Sequence, residues 1–221
     1  MDLLTGFLHK SLSGNILKLS RKDTDGRVNS SMNEKEIRTS LKTAPVNNDK
    51  FTSEHGLVIT EPNDRDWVDF TVEGPETFVP VNIKVTNMGG AADNLSCKLG
   101  MFYALTGIRP DFHNGISWGS YTARMAKALA ETRGDTTADY YFLVVNKINR
   151  GDVFWTSLKR IGTLTPNGNN LPFQCDWSRN RERVARDSLE AVRYVLGAFY
   201  QSVLLRAQLR DEFEPNLAGY Y

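Results

Sequence analysis

The chain has 221 residues, of which 40% are hydrophobic and 24% charged, and its net charge is +1. This length predicts a single domain around one substantial core, and this composition excludes a disordered chain or a fibrous repeat. The near-neutral charge does not by itself indicate nucleic-acid binding. Cys97 and Cys175 lie far apart with no CxxC motif, so we expect reduced thiols rather than disulfides or a thiolate zinc site.

The sequence shows neither a membrane-spanning segment nor a secretory signal, and both bear on where the protein is located in the cell. The sequence contains no apolar run of about eighteen residues, the length that a membrane-spanning helix requires. The amino-terminal segment is interrupted by Lys, His, Gly and Ser, which is not the pattern of a secretory signal. We therefore expect a cytoplasmic protein with no membrane partner.

The first part of the chain predicts one helix followed by short strands. Ser31 and Glu34 have the spacing of a capping box, which predicts a helix over residues 32–43. Segments rich in β-branched and aromatic residues predict strands at "LVIT" (57–60), "WVDFTV" (67–72) and "FVPVNIKVTN" (78–87). The last two strands are joined by "EGPET", whose Gly-Pro pair predicts a hairpin turn.

The second part predicts helices around a buried strand. We expect helices from Asp93 to Gly107, over "ISWGSYTARMAKALAET" to near Gly134, and over 179–213 with an end at Pro215. The nearly continuous apolar run "DYYFLVVNKI" predicts a central strand covered on both faces, and "DVFWTSLKRI" a further strand. This order predicts an α/β (α+β) fold with a central mixed β-sheet flanked by helices.

The hairpin places polar side chains on one face. Alternation puts Trp67, Asp69 and Thr71 on one face of its first strand, and Val68, Phe70 and Val72 on the other. In the second strand Asn82 and Lys84 share a face, and pairing brings them near Asp69. A carboxylate, an amide oxygen and an ammonium suit Mg²⁺-dependent phosphodiester hydrolysis. An ordinary cross-strand ion pair between Asp69 and Lys84 is the open alternative.

The segments "DFTV", "VNIKVTN" and "KLGMFYALTG" resemble the catalytic core of type II restriction endonucleases of the PD-(D/E)xK superfamily, over about residues 61–110. The resemblance implies a restriction-endonuclease-like fold and a homodimer that cleaves double-stranded DNA at a short palindromic site with Mg²⁺. It also implies Asp69 as the first metal ligand, Asn82 at the second ligand position and Lys84 as the catalytic lysine. A repair or recombination nuclease of the same superfamily and a non-catalytic DNA-binding protein remain open.

Asn82 departs from the family's pattern, because an amide oxygen is neutral and binds Mg²⁺ more weakly than a carboxylate. Three accounts remain open. A neighbouring acid supplies the missing charge, with Glu54, Glu61 and Asp66 as candidates; the residue is an engineered change of Asp to Asn; or the protein is a relative that binds DNA and no longer cleaves it.

A second departure, Val68 in place of the motif's usual proline, is one that we expect to be tolerated. The family often presents a further acid from a preceding helix, and the predicted helix over 32–43 offers two. The capping-box prediction assigns Glu34 to the helix end. This leaves Glu36 as the candidate for a further catalytic residue.

Two loops carry side chains suited to reading base edges. The first, "TNMGGAADNLSCK", supplies Asn87, Asn94, Ser96 and Lys98, and the second, "LTPNGNNLPFQ", supplies Asn167, Asn169, Asn170 and Gln174. Clusters of Asn and Gly also mark turns, so a purely structural role is open. On the resemblance, the single domain divides into a helical or loop extension (1–50), a catalytic core (51–160), and a recognition loop with a C-terminal helix (161–221).

Overall fold

The computed structural model describes residues 1–14, 17, 19, 26–43, 54–62, 66–89, 92–149 and 151–217, with side chains over 32–41 in the second helix and up to 208 in the last one. Within these residues, a five-stranded mixed sheet lies between two layers of helices. The predicted α+β class, with a central mixed sheet flanked by helices, is confirmed. None of the described helices combines the length and the apolar character needed to cross a membrane.

The strands are β1 (Val58–Thr60), β2 (Phe70–Gly74), β3 (Thr77–Thr86), β4 (Asp93–Asn94), β5 (Tyr141–Asn146), β6 (Val153–Ser157) and β7 (Gln174–Cys175). The helices are α1 (Asp2–Ser13), α2 (Gly26–Thr43), α3 (Lys98–Thr106), α4 (Trp118–Thr132) and α5 (Ser188–Leu217), with a 3₁₀ turn at Trp177–Arg179. The sheet order is β1-β2-β3-β5-β6. Strands β3 and β5 are parallel and the other neighbours antiparallel. Strands β4 and β7 form a separate two-stranded ribbon.

Two apolar layers cover the sheet. The α1–α2 layer consists of Leu4, Leu8, Leu12, Ile37 and Leu41, which pack on Val81, Ile83 and Val85 of β3. The α3–α4–α5 layer includes Met101, Leu105, Tyr121, Met125, Val192, Val195 and Phe199, which pack with Phe142 and Val144 of β5. Each layer buries one face of the sheet, so the central strands are apolar on both sides. The exceptions in β3 are Asn82 and Lys84, which line a pocket.

The β2–β3 hairpin turns tightly, with Gly74 paired to Thr77. The predicted alternation is confirmed in β3, where Val81, Ile83 and Val85 face the α1–α2 layer and Asn82 and Lys84 line a pocket on the other side. In the first strand the prediction is wrong at Val68, which packs in the α3–α4–α5 layer. The chain bends at Asp69 before β2 begins, and this bend breaks the two-residue alternation.

The predicted boundaries of three helices are wrong. Helix α2 begins at Gly26, so residues 31 and 34 lie inside the helix rather than at its start. Helix α3 begins at Lys98 rather than Asp93, because the thiol of Cys97 accepts the Gly100 N–H as the helix cap. The last helix begins at residue 188, not 179, and its final turn includes Pro215.

Helix α1 offers a test of whether the amino-terminal segment belongs to the core. Leu8 is fully buried and Leu3, on the same helix, is 51% exposed. We expect Leu8→Ala to lower the free energy of unfolding by about 2–5 kcal/mol, because it leaves a cavity in the α1–α2 layer. Leu3→Ala, the matched control, should change it by less than about 0.5 kcal/mol. Urea unfolding measures both, and equal effects would contradict the packing described for α1.

Candidate active site

Asp69 lies at the bend that leads into β2. Its N–H donates to the Val81 carbonyl at 2.9 Å, and its Oδ2 accepts the Ile83 N–H at 2.6 Å. These two bonds fix Asp69 beside Asn82, one step beyond the Phe70–Val81 pair. Burial raises the pKa of Asp69, and the Ile83 N–H, Lys84 and Arg38 oppose that rise.

Asn82 and Lys84 project from β3 into a pocket of about 210 Å³ beside Asp69. Ser96 and Cys97, at the start of α3, line the same pocket. The sequence-predicted trio of Asp69, Asn82 and Lys84 is therefore brought together at one site. The described ion pairs do not include Asp69–Lys84, so the ordinary cross-strand ion pair is not what this hairpin forms.

The amide oxygen of Asn82 is buried and bonds to no described residue. Nearby, the Tyr140 hydroxyl donates to the Trp67 carbonyl at 2.7 Å. Burial raises the pKa of Tyr140 well above its ordinary value, and hydrogen bonding with the Asn82 side chain acts in the opposite direction. A buried oxygen without a partner normally costs stability, so its retention calls for an explanation such as an ion. Its neighbour Asp69 is a carboxylate, and oxygen donors of these two kinds are what Mg²⁺ binds.

Glu34 on α2 adds a second carboxyl group to the site. Burial, and then the charge of Asp69, raise its pKa to about 7, while Lys84 and Arg38 act in the opposite direction. The Glu34 carboxyl is therefore within electrostatic range of Asp69. Two acids and two cations thus share one site, and acids with raised pKa values cluster at functional sites.

Glu36, the glutamate favoured by the sequence, is exposed. It lies two residues beyond Glu34, which is about 200° around the helix and therefore on its other side. The sequence assigned Glu34 to the helix end, and because α2 begins at Gly26 that assignment no longer holds. Helix α2 brings Glu34, not Glu36, to Asp69.

The other acids considered for the missing charge lie at the surface. Glu54, Glu61 and Asp66 are exposed, although Asp66 lines the pocket. The Oδ1 of Asp66 accepts the Trp67 N–H at 2.7 Å. In the described part of the chain, no three His, Cys, Asp or Glu side chains converge as a metal-binding group, which is consistent with an amide standing where a third acid would lie.

Arg38 is a site residue that sequence reasoning missed. Its charge acts on both Glu34 and Asp69, and its Nε is buried without a hydrogen-bond partner among the described residues. The available signal was the spacing of four residues between Glu34 and Arg38, which puts both on one helical face. Tyr140 was also missed, because it is the second residue of an apolar run that predicts only a strand.

The two loops proposed to read DNA are joined to each other. Strands β4 and β7 pair Asn94 with Gln174. The Oδ1 of Asn94 accepts hydrogen bonds from Gln174 Nε2 at 3.0 Å and Asn167 Nδ2 at 3.2 Å. Asn94 also lines the pocket that contains Asp69. Three of the predicted DNA-binding residues therefore form one amide cluster beside the candidate active site.

The remaining predicted DNA-binding residues lie apart from this cluster or have structural partners. Asn87, Ser96, Asn169 and Asn170 are exposed. The backbone N–H groups of Asn169 and Asn170 donate to Asn167 Oδ1. The ammonium of Lys98 donates to the carbonyls of Asn114 and Ile116 and lies 4.4 Å from the Trp118 ring centroid, so it is held by the loop before α4. Contact of these residues with DNA stays a prediction.

Both cysteines are free, as expected. Burial raises the pKa of Cys97, and it raises that of Cys175 to about 12. Both groups are therefore thiols at neutral pH, and a thiol is a poor nucleophile and a poor metal ligand. The chemistry of the pocket rests on its oxygen and nitrogen groups.

No family model matches this sequence, and no curated protein matches it.

The raised pKa of Glu34 predicts a pH-dependent cost to stability. The carboxyl has an ordinary pKa of 4.5 and one of about 7 in the fold. Ionisation of Glu34 therefore costs no stability below about pH 4.5, and its cost grows as pH rises towards 7. Glu34→Gln removes this ionisation. In metal-free buffer, we expect it to raise the free energy of unfolding by about 1–2 kcal/mol at about pH 8, after allowance for partial solvent exposure, and to have little effect near pH 4.5.

Glu36→Gln is the matched control, because Glu36 is exposed on the same helix. It should leave stability unchanged at both pH values. Urea unfolding at the two pH values provides the measurement. If Glu34→Gln raised the free energy of unfolding equally at both pH values, ionisation of Glu34 would not be what destabilises the folded protein.

Proposed function

We propose that this protein is a Mg²⁺-dependent type II restriction endonuclease that hydrolyses phosphodiester bonds in double-stranded DNA at a short palindromic site. The observation that carries the proposal is the convergence of Asp69, Asn82 and Lys84 on one pocket, where the buried amide oxygen of Asn82 has no described partner. Glu34 interacts electrostatically with Asp69 and adds a second acid. Hard oxygen donors next to an ammonium are the groups that phosphodiester hydrolysis requires.

Asp69, Asn82 and Glu34 are the residues that would hold Mg²⁺. When bound, the ion would polarise the scissile phosphate and lower the pKa of a coordinated water. Glu34 replaces the charge that an acid at position 82 would provide, which favours a natural, compensated Asn82 among the three accounts. Glu36 is not needed for this role.

Lys84 acts on the substrate rather than on the metal. Its position on β3, next to Asp69 and Asn82, lets the ammonium orient the attacking water and stabilise negative charge growing on the phosphate. Arg38 is a second cation whose buried Nε has no described partner, and it offsets the charge of the two acids.

The fold supports the proposal without being specific for it. A mixed sheet that carries the candidate residues on an antiparallel hairpin, next to a parallel β3–β5 pair, agrees with the restriction-endonuclease-like fold that the resemblance implies. Fold alone does not determine activity. The local chemistry therefore carries the argument.

A homodimer is part of the proposal, because twofold protein symmetry matches a palindromic site. Helix α5 supports it through a set of exposed apolar side chains: Leu189, Tyr200, Val203, Leu204 and Leu205. Helix α1 buries Leu4, Leu8 and Leu12 against the sheet and exposes Leu3, so it offers less apolar surface than α5. We therefore assign the interface to α5.

Cleavage of plasmid or phage DNA tests the activity. With Mg²⁺ the protein should give discrete fragments, and Lys84→Ala should slow cleavage by about 10²–10⁴-fold because it removes the group that stabilises phosphate charge. The control is Lys127→Ala, which removes an exposed lysine on α4 and should leave the rate unchanged. A smear would indicate a nuclease without sequence specificity, as in repair or recombination. No cleavage by the protein or by Asn82→Asp would overturn the catalytic proposal.

Metal binding is expected to show in stability as well as in activity. A ligand that binds only the folded state stabilises it by an amount that grows with the logarithm of the ratio of free ligand to dissociation constant. Mg²⁺ should therefore raise the melting temperature at about pH 8, and Asn82→Asp should enlarge that rise because a carboxylate binds the ion more strongly than an amide. Asp69→Asn should abolish it. The same titration on Glu36→Gln is the control, and an unchanged melting temperature in all variants would argue against a metal site.

A further inference from the structure

Three amides form a hydrogen-bonded chain at the edge of the candidate active site. Asn167 Nδ2 donates to Asn94 Oδ1 at 3.2 Å, and Gln174 Nε2 donates to the same oxygen at 3.0 Å. Both bonds are exposed to solvent. A ligand in the pocket that Asn94 lines can therefore reach the groups on these amides that the chain leaves unused.

The backbone fixes which way each amide faces. Asn167 Oδ1 accepts the N–H groups of Asn169 at 2.9 Å and Asn170 at 3.2 Å. Because a backbone N–H can only donate, Asn167 has to turn its Nδ2 towards Asn94. Asn94 then has to accept through Oδ1. The orientation of the amides thus follows from the hydrogen bonds of the loop.

This orientation leaves a defined set of free groups. Asn94 keeps both N–H donors of its Nδ2, and Gln174 keeps its Oε1 acceptor and one N–H donor. No described residue bonds to these groups. The cluster therefore presents a donor from Asn94 next to an acceptor and a donor from Gln174.

The loop that carries Asn167 is fastened to α5. The Asn167 N–H donates to Ser202 Oγ at 2.9 Å. Arg206 donates to the carbonyls of Gly168 at 2.7 Å and Asn169 at 2.8 Å. Gly168 approaches the helix so closely that a Cβ there would lie 2.9 Å from the backbone nitrogen of Arg206. The amides are thus held in place before any ligand arrives, which lowers the entropic cost of binding.

We infer that Asn94 and Gln174 read base edges in the major groove and that Gln174 reads an adenine. Adenine presents an N6 donor beside an N7 acceptor there, which matches the acceptor and donor of Gln174. The free groups of Asn94 are both donors, so they match a base that presents acceptors. Guanine presents two in the major groove, N7 and O6. In the minor groove an A·T pair offers only acceptors, which cannot pair with the Gln174 oxygen, so adenine is read from the major groove. The inference rests on the proposed function, since it specifies how the same site selects its DNA.

Selection from a library of randomised duplexes tests the inference. Binding in a Lys84→Ala background with Mg²⁺ keeps the selected DNA intact. We expect one strongly enriched adenine position per half-site. Gln174→Glu replaces the donor with a second acceptor, so it should shift that position towards cytosine, whose N4 amino group only donates. Affinity for the original site should fall about 10- to 100-fold.

Two further variants complete the test. Asn167→Asp removes the donor that orients Asn94 and should weaken the same preference. Asn149→Ala, an exposed asparagine at the β5–β6 turn, should leave the selected sequence unchanged. Urea unfolding confirms that each variant is folded, and Gln174 is only partly buried.

The outcomes separate this inference from the proposed function. A selected sequence that Gln174→Glu leaves unchanged overturns the inference while the nuclease proposal stands. Cleavage without any enriched sequence overturns both the inference and the site-specific part of the proposed function, and leaves a nonspecific nuclease. Failure to bind or cleave any duplex overturns the proposed function, and the inference with it.

Discussion

The hydrogen bond from the Ile83 N–H to the Asp69 carboxylate, at 2.6 Å, is the contact on which the candidate site depends. A backbone donor that would otherwise extend the β2–β3 ladder is used to hold a side chain. The bend at Asp69 makes this possible, because it releases the backbone from strand geometry just where the hairpin meets the pocket. Asn82 and Lys84 follow from ordinary strand alternation next to it.

This arrangement puts Asp69 between the two layers of the fold. Glu34 reaches it from α2, which belongs to the α1–α2 layer, while Asn82 and Lys84 line a pocket bordered by Phe142 of the other layer. Groups from both faces of the sheet therefore share one electrostatic environment. Burial raises the pKa of both acids, a cost that ordinary structural residues avoid and that functional sites commonly retain.

Much of this geometry was predictable, and the failures have local causes. Strand alternation predicted the convergence of Asp69, Asn82 and Lys84 correctly, because β3 is regular throughout. The choice between Glu34 and Glu36 went wrong because a capping motif was placed inside a helix that begins at residue 26. Helix α1 was missed, although Leu4, Leu8 and Leu12 recur every four residues. The amide cluster was beyond prediction, since Asn94 and Gln174 meet across 80 residues of sequence.

The close approach of Gly168 to α5 has a consequence for redesign. The residues proposed to cut lie on the β2–β3 hairpin, whereas those proposed to read lie on the β4–β7 ribbon and a loop fastened to the last helix. Grafting a new loop alone would leave Ser202 and Arg206 without the backbone groups they bind. The exchangeable unit is therefore the loop together with α5, and altered specificity in this scaffold would have to be engineered by replacing both as one cassette.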